Sequence, residues 1–190
     1  MINSAFGLIY TGENNPKMRD LTLSRAVAAL PFGGRYRCVD FILSNLVHSG
    51  VTSVGLIAQK NYHSLMDHLG AGKEWDLHRK REGLFILPPF LTKDSTGLYR
   101  GSVDAFRSCL GYMRRCPQQY VILSGSHTIF NTSFHEMFDR HVRTGADITI
   151  MYNEDAHFDP EDQNMDLRLT LDENERVTAM ELDPYRPRTH

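Results

Sequence analysis

The sequence predicts a three-layer α/β domain with a central, mostly parallel sheet. Three observations carry this. Short apolar runs alternate with segments of helical period along the chain. The helical segments are apolar on one side, as helices packed on a sheet are. The run YVILS reads as a buried strand, and AFGLI as a first strand followed by the turn-rich loop TGENNPKMRD.

The strands fall at Ser4–Ile9, Ser53–Ile57, Tyr120–Ser124 and Asp147–Tyr152. The helices fall at Thr22–Ala29, Val39–Ser49, Tyr62–Leu69, Ser102–Arg115 and Ser133–Arg143. In Val39–Ser49 the apolar positions are Val39, Ile42, Leu43, Leu46 and Val47, the spacing of a helix buried on one face. In Ser102–Arg115 the spacing points to Val103, Phe106, Leu110 and Met113 as the packed side. In Ser133–Arg143 it points to Phe134, Met137, Phe138 and His141. Such alternation implies right-handed crossovers, with ligands at the carboxyl ends of the strands. Near the end, Asp166–Leu171 and Arg176–Leu182 alternate about the turn Asp172-Glu173-Asn174, which reads as a hairpin.

With 190 residues, 41% hydrophobic and 23% charged, the chain is long enough for one domain with a sizeable core. A net charge of -2 supplies no basic field for nucleic acid. No apolar run approaches the roughly 20 residues that span a bilayer, and MINSAFGLIY lacks the pattern of a secretory signal. Cys38, Cys109 and Cys116 are the only cysteines. In one continuous helix Cys109 and Cys116 would lie about 10 Å apart, too far to bridge. Three unpaired thiols fit a reducing cytoplasm. The polar end Arg186-Pro187-Arg188-Thr189-His190 caps no element and suggests an N-terminal piece of a longer protein.

Several motifs point to anions, each beside a plainer reading. The loop after the first strand has one glycine, Gly12, and neither a dinucleotide fingerprint nor a P-loop. Arg25, Arg35 and Arg37 lie around Gly33-Gly34. Arginine suits phosphate because its planar fork gives paired, charged hydrogen bonds. The alternative is a solvated charged turn with Asp40 as ion-pair partner. Arg100-Gly101 precedes a helix that Ser102 would cap, either for an anion or for capping alone. Gly125-Ser126-His127 follows the strand Tyr120–Ser124, where α/β phosphoryl-transfer enzymes place metal-binding carboxylates. A neutral hydroxyl is a poor sole anchor for Mg²⁺, and adjacent Ser and His rarely form a nucleophile–base pair. The nine histidines include no H-E-x-x-H, and the cysteines no CxxC, which argues against zinc. His141 and Trp75 read as packing residues.

LTLSRAVAALPFGGRYRCVDFILSNLVHSGV, with YRGSVDAF and LSGSH at the right later places, resembles the signature of glucose-1-phosphate adenylyltransferases. TGENN, NYHSLMDHLGAGKEWDL and GLFILPPF resemble more closely the GlgD-type regulatory subunits of Firmicutes. The resemblance implies a Rossmann-like nucleotide-diphospho-sugar transferase domain followed by a left-handed parallel β-helix. Residues 1–190 would be the N-terminal part of the first and contain none of the second. It also implies remnants of a substrate pocket at Gly12, Gln59, Tyr99, Arg100, Gly101, Asp104, Gly125 and His127. Arg25 and Arg37 match positions that help bind phosphorylated effectors between subunits, with Arg35 beside them. Pro31 stands where some relatives carry a basic residue.

The departures from the catalytic pattern share a direction. Thr11–Met18 lacks the glycines and arginine of G-G-x-G-T-R-L. Val27 stands where the pattern has Lys, Ser126 where it has Asp, and Leu182-Asp183 where it has Glu-Lys. Joining a sugar phosphate to the α-phosphorus of ATP brings two polyanions together, so catalysis is mostly positioning and charge stabilisation. Without those groups the expectation is a non-catalytic or weakly catalytic subunit in bacterial glycogen synthesis. It would retain no cofactor, whereas catalytic members use Mg²⁺. Its partner would be a catalytic GlgC-type subunit in a hetero-oligomer, expected to be a tetramer, with a phosphorylated effector. The alternatives are a divergent active nucleotidyltransferase using Asp104 or Arg100, and a module that senses a sugar phosphate or nucleotide.

Overall fold

The computed structural model describes residues 2–12, 16–80, 82–89, 99–153 and 167–182. The chain divides into two compact units, Met1–Thr149 and Ile150–His190.

The first unit is built on four parallel strands: β1 (Ala5–Tyr10), β4 (Ser53–Ile57), β5 (Gly83–Leu87) and β6 (Tyr120–Gly125), in the order β5-β4-β1-β6. Side chains alternate across the sheet. Ala5, Ile9, Val54, Leu56 and Ile122 face one core with α1 (Cys38–His48), α2 (His63–Leu69) and the first turns of α5 (His135–Thr144). Phe6, Leu8, Tyr10 and Ile57 face the other, against α3 (Ser102–Ser108) and α4 (Leu110–Met113). Helices on both faces of a parallel sheet make the expected three-layer α/β architecture.

The short hairpin of β2 (Pro31–Phe32) and β3 (Tyr36–Arg37) turns at Gly33 and Gly34, whose φ values of 58° and 92° suit glycine. It delivers Arg37 to the N-cap of α1. There the Arg37 backbone N–H donates to Asp40 Oδ2 at 3.0 Å, and Asp40 Oδ1 meets His68 Nε2 at 2.7 Å. The Arg37 guanidinium donates to the Ser64 carbonyl and, at 2.7 Å, to Ser64 Oγ. Trp75 packs edge-on against His68 and against the core, as a packing residue should.

Several sequence expectations need correction. Thr22–Ala29 is not an α-helix: two 3₁₀ turns, Pro16–Thr22 and Val27–Ala29, flank an extended Ala26 whose N–H donates to Asn61 O. Pro31 holds Leu30 extended, and the segment left is too short to propagate a helix. The helix predicted over Ser102–Arg115 breaks at Cys109, and its most buried residues are Ala105, Cys109 and Tyr112; of the expected side, Phe106 and Met113 pack against the same core while Val103 and Leu110 do not. Val103 is 78% exposed. Two apolar stripes compete there, and Gly55 of β4, having no side chain, leaves room for the Tyr112 ring against the sheet. Ser102 does not cap α3; Gly101 is the N-cap, and Asp104 Oδ2 accepts from the Arg100 N–H at 3.3 Å.

Asp147–Tyr152 forms no strand: Ile148, Met151 and Tyr152 are exposed, and no described strand pairs with them. Among the described strands β1 alone pairs with Tyr120–Gly125, which therefore lies at the edge of the described sheet rather than buried in it, with Val121 and Leu123 exposed. β5, inside GLFILPPF, is a strand the periodicity argument passed over. Its short apolar run between Gly83 and Pro88 is a legible strand signal.

In the second unit β7 (Leu167–Leu171) and β8 (Val177–Leu182) pair antiparallel, the predicted hairpin. Asp172 Oδ1 accepts the N–H groups of Asn174 and Arg176, each at 2.9 Å, which closes the turn. The three cysteines are unpaired.

Candidate functional site

The sheet order reverses at β1. The chain leaves β1 to build outward through β4 and β5, then returns to add β6 on the other side. The carboxyl ends of β1 and β6 therefore border the crevice where open α/β sheets bind ligands. Tyr10 ends β1 with Ile57 on one side and Gly125 on the other. An open cleft of about 370 Å³ lies there, between the ends of these strands and α3. Tyr10, Phe106, Leu123 and Gly125 form its walls, with Ser102, Ser124 and His127 as its polar lining.

Polar contacts from α1 hold the loop beyond β6 in place. Asn45 Nδ2 donates to the Phe130 carbonyl at 2.9 Å, and Asn45 Oδ1 accepts from the Thr132 N–H at 3.5 Å. Ser49 Oγ donates to Asn45 O at 2.7 Å and accepts from the Phe134 N–H at 2.9 Å. Both side chains are buried, so these bonds satisfy groups that water cannot reach. The loop carrying Ser126 and His127 is thus anchored through its far end to the core.

Of the expected pocket remnants, Gly125 and His127 line the cleft, and Gly12, Gln59 and Tyr99 stand beside it, tied together through Tyr10. Tyr10 OH donates to Gln59 Oε1, and Gln59 Nε2 donates to Tyr99 O, each at 3.1 Å. Arg100 and Asp104 are exposed, and the Asp104 carboxylate accepts from the Arg100 backbone N–H. Gly101 has extended backbone at φ 177°, with open space where a Cβ would lie. Val27 and Ser126 are buried, at 3% and 0% exposure. Leu182 ends β8, and Asp183 lies outside the described residues, as do residues 13–15 of the first loop.

Among the described residues no three of His, Cys, Asp and Glu gather as a metal-binding group. A wholly buried, neutral Ser126 is not the donor that a magnesium ion selects. No described helix is long and apolar enough to cross a membrane.

The arginines separate. Arg37 donates to Ser64 through Nη1, while Arg35 is exposed with its guanidinium carbon 5.9 Å from the Tyr36 ring centre. Arg25 is half-buried next to Ala26, whose N–H meets Asn61 O. The segments that carry Arg25 and Arg37 each bond to the stretch that opens α2, and Arg35 belongs to the hairpin tip. Asp40 pairs with His68 rather than with an arginine side chain.

Tyr10, Phe106, Leu123 and Ser124 line the cleft without having been expected there, while Ser102 was expected at the helix start, for an anion or for capping alone. Tyr10 and Ser124 had a usable signal, their place at the carboxyl ends of strands. Phe106 was legible only as an apolar helix position, since its reach into the cleft depends on how α3 crosses the sheet.

The sequence pattern of the nucleotidyl transferase family matches residues 6–162. The chain is 43% identical over 153 residues to a Bacillus subtilis protein named glycogen biosynthesis protein GlgD, covering 80% of this chain and 44% of that one. The protein of the same name from Geobacillus stearothermophilus is 39% identical over 149 residues, 78% of this chain and 43% of that one. A glucose-1-phosphate adenylyltransferase of Pseudothermotoga lettingae is 35% identical over 190 residues, all of this chain and 44% of that one. The chain thus spans less than half the length of these relatives. The matched segment contains the parallel sheet, its switch point and the cleft between β1 and β6, and by that match the chain belongs to the nucleotidyl transferase family.

Proposed function

We propose that the chain is the nucleotidyltransferase-like part of a regulatory subunit of glucose-1-phosphate adenylyltransferase in glycogen biosynthesis. The partner's reaction converts ATP and glucose 1-phosphate to ADP-glucose and diphosphate. The observation that carries this reading is the pair Val27 and Ser126. Both are buried and neutral where the catalytic pattern has a lysine and an aspartate. Transfer between two polyanions runs on preorganised charge, and a buried valine and hydroxyl supply none. Similarity to two proteins named GlgD supports the choice of subunit type.

The proposed partner is a catalytic GlgC-type subunit in a hetero-oligomer. A phosphorylated effector would meet Arg25, Arg35 and Arg37 around the hairpin and the start of α2, where guanidinium groups offer paired, charged hydrogen bonds. The test is ADP-glucose formation by the full-length protein, alone and co-purified with its catalytic subunit. Alone, turnover is expected far below the usual enzyme range of about 1–10³ s⁻¹. With the partner, activity or effector response is expected to rise above that of the partner alone. Turnover in the usual range without a partner, or no change on adding one, overturns the proposal.

A further inference from the structure

The backbone just past β1 is where a ligand would come closest to the chain, and that space is filled by the protein itself. A Cβ built on Gly12 would lie 2.0 Å from Gln59 Oε1 and 2.4 Å from the Tyr10 hydroxyl oxygen. Backbone N–H groups after a first strand serve a ligand only where ligand atoms can approach. Here Tyr10 and Gln59 lie over Gly12 instead.

Tyr10 is held by its backbone, its ring and its hydroxyl. Its backbone is fixed in the sheet between Ile57 and Gly125. Its ring stands edge-on to Phe106, with centres 6.3 Å apart and planes at 70°. Its hydroxyl donates to Gln59 Oε1, while Gln59 Nε2 is spent on Tyr99 O. Only 8% of Tyr10 is exposed, yet it forms a wall of the cleft.

We propose that Tyr10 is a resident plug that stands in for a nucleobase. A nucleobase is a flat ring that packs against aromatic side chains and hydrogen-bonds to an amide's donor and acceptor. Phe106 and Gln59 are an aromatic side chain and an amide of that kind, and both are engaged by Tyr10 or its neighbour Tyr99. This inference rests on the reading of the chain as a degenerate nucleotidyltransferase. It adds a separate cause: Tyr10 occupies the space over Gly12 at the end of the cleft, independently of the missing charged groups.

The test is calorimetric titration of the chain with adenosine and, separately, with inorganic triphosphate, for wild type, Tyr10→Ala and Tyr10→Phe. Adenosine is expected to bind Tyr10→Ala about tenfold more tightly than wild type, or better. Tyr10→Phe is expected to follow wild type, because its ring still fills the space. Triphosphate affinity is expected to be equal in all three. A smaller gain for Tyr10→Ala overturns the proposal, as does wild-type adenosine binding with a dissociation constant below about 1 mM. If circular dichroism shows Tyr10→Ala unfolded, Tyr10→Leu carries the same expectation, since it keeps an apolar contact for Phe106 but places no ring over Gly12. No partner subunit and no turnover enter the measurement, so its failure leaves the regulatory reading to its own test.

Discussion

Arg37 shows how one residue can join two elements. Its backbone N–H is accepted by Asp40, and its guanidinium reaches Ser64 in α2. Hydrogen bonds involving a charged group each contribute roughly 1.5–3 kcal/mol. Arg37→Ala is therefore expected to lower unfolding free energy by about 1–3 kcal/mol, mainly through loss of the Ser64 contacts. Arg35, exposed at the hairpin tip, is expected to change it by less than about 0.5 kcal/mol when replaced by Ala. Urea denaturation of both variants checks this, and equal losses would contradict the assignment. The sequence placed the two arginines in one anion-seeking cluster, since residue type and spacing were all it offered. That Arg37 ties the hairpin to α2 while Arg35 faces solvent depends on Ser64, 27 positions further along from Arg37.

At the scale of elements, α1 organises the site from behind the sheet. Its apolar face was legible because helical spacing survives in the sequence whatever the helix packs against. Its polar reach was not legible. Asn45 and Ser49 look like solvent-facing positions by residue type, yet both are buried and bond to the loop after β6. Asn45→Ala strands the Phe130 carbonyl, and the expected loss is about 1–3 kcal/mol. Amide hydrogen exchange within residues 130–134 is expected to quicken in this variant while that of β4 is unchanged. Protection of the loop equal to wild type would show that the contact does not anchor it. The misread face of α3 has a related cause. Val103 and Leu110 fit a stripe as well as Ala105, Cys109 and Tyr112 do, and only the sheet chooses between them.

For the molecule as a whole, burial raises the thiols of Cys38, Cys109 and Cys116 above their ordinary 9.0. Burial also raises the Tyr112 phenol above its ordinary 10.0, outweighing the lowering effect of nearby Ser53. Below these ordinary values both the folded and the unfolded chain hold the protons, and stability is unaffected. As pH passes 9 and then 10 the unfolded chain releases them first, so it binds fewer protons and the folded state loses ground. Unfolding free energy is thus expected to be flat from these groups near pH 8 and to fall between about pH 9 and 11. Tyr112→Phe is expected to flatten the part above pH 10. Denaturation curves at pH 8, 9.5 and 10.5 measure both slopes, and a rise across this range would contradict the burial argument.

The sequence by itself determined the three-layer class, the strands β1, β4 and β6, and the helices α1, α2 and α5. Their signals are periodic and local, so they are readable without knowing the partner. It also marked Val27 and Ser126 as neutral replacements within a recognisable pattern. The tertiary structure decided what depends on neighbours distant in the chain. It left Tyr120–Gly125 paired with β1 alone among the described strands, made β5 a strand by pairing it with β4, and broke the helix at Cys109. Above all it laid Tyr10 and Gln59 over Gly12. Those two side chains are 49 positions apart and meet only because β1 and β4 run side by side.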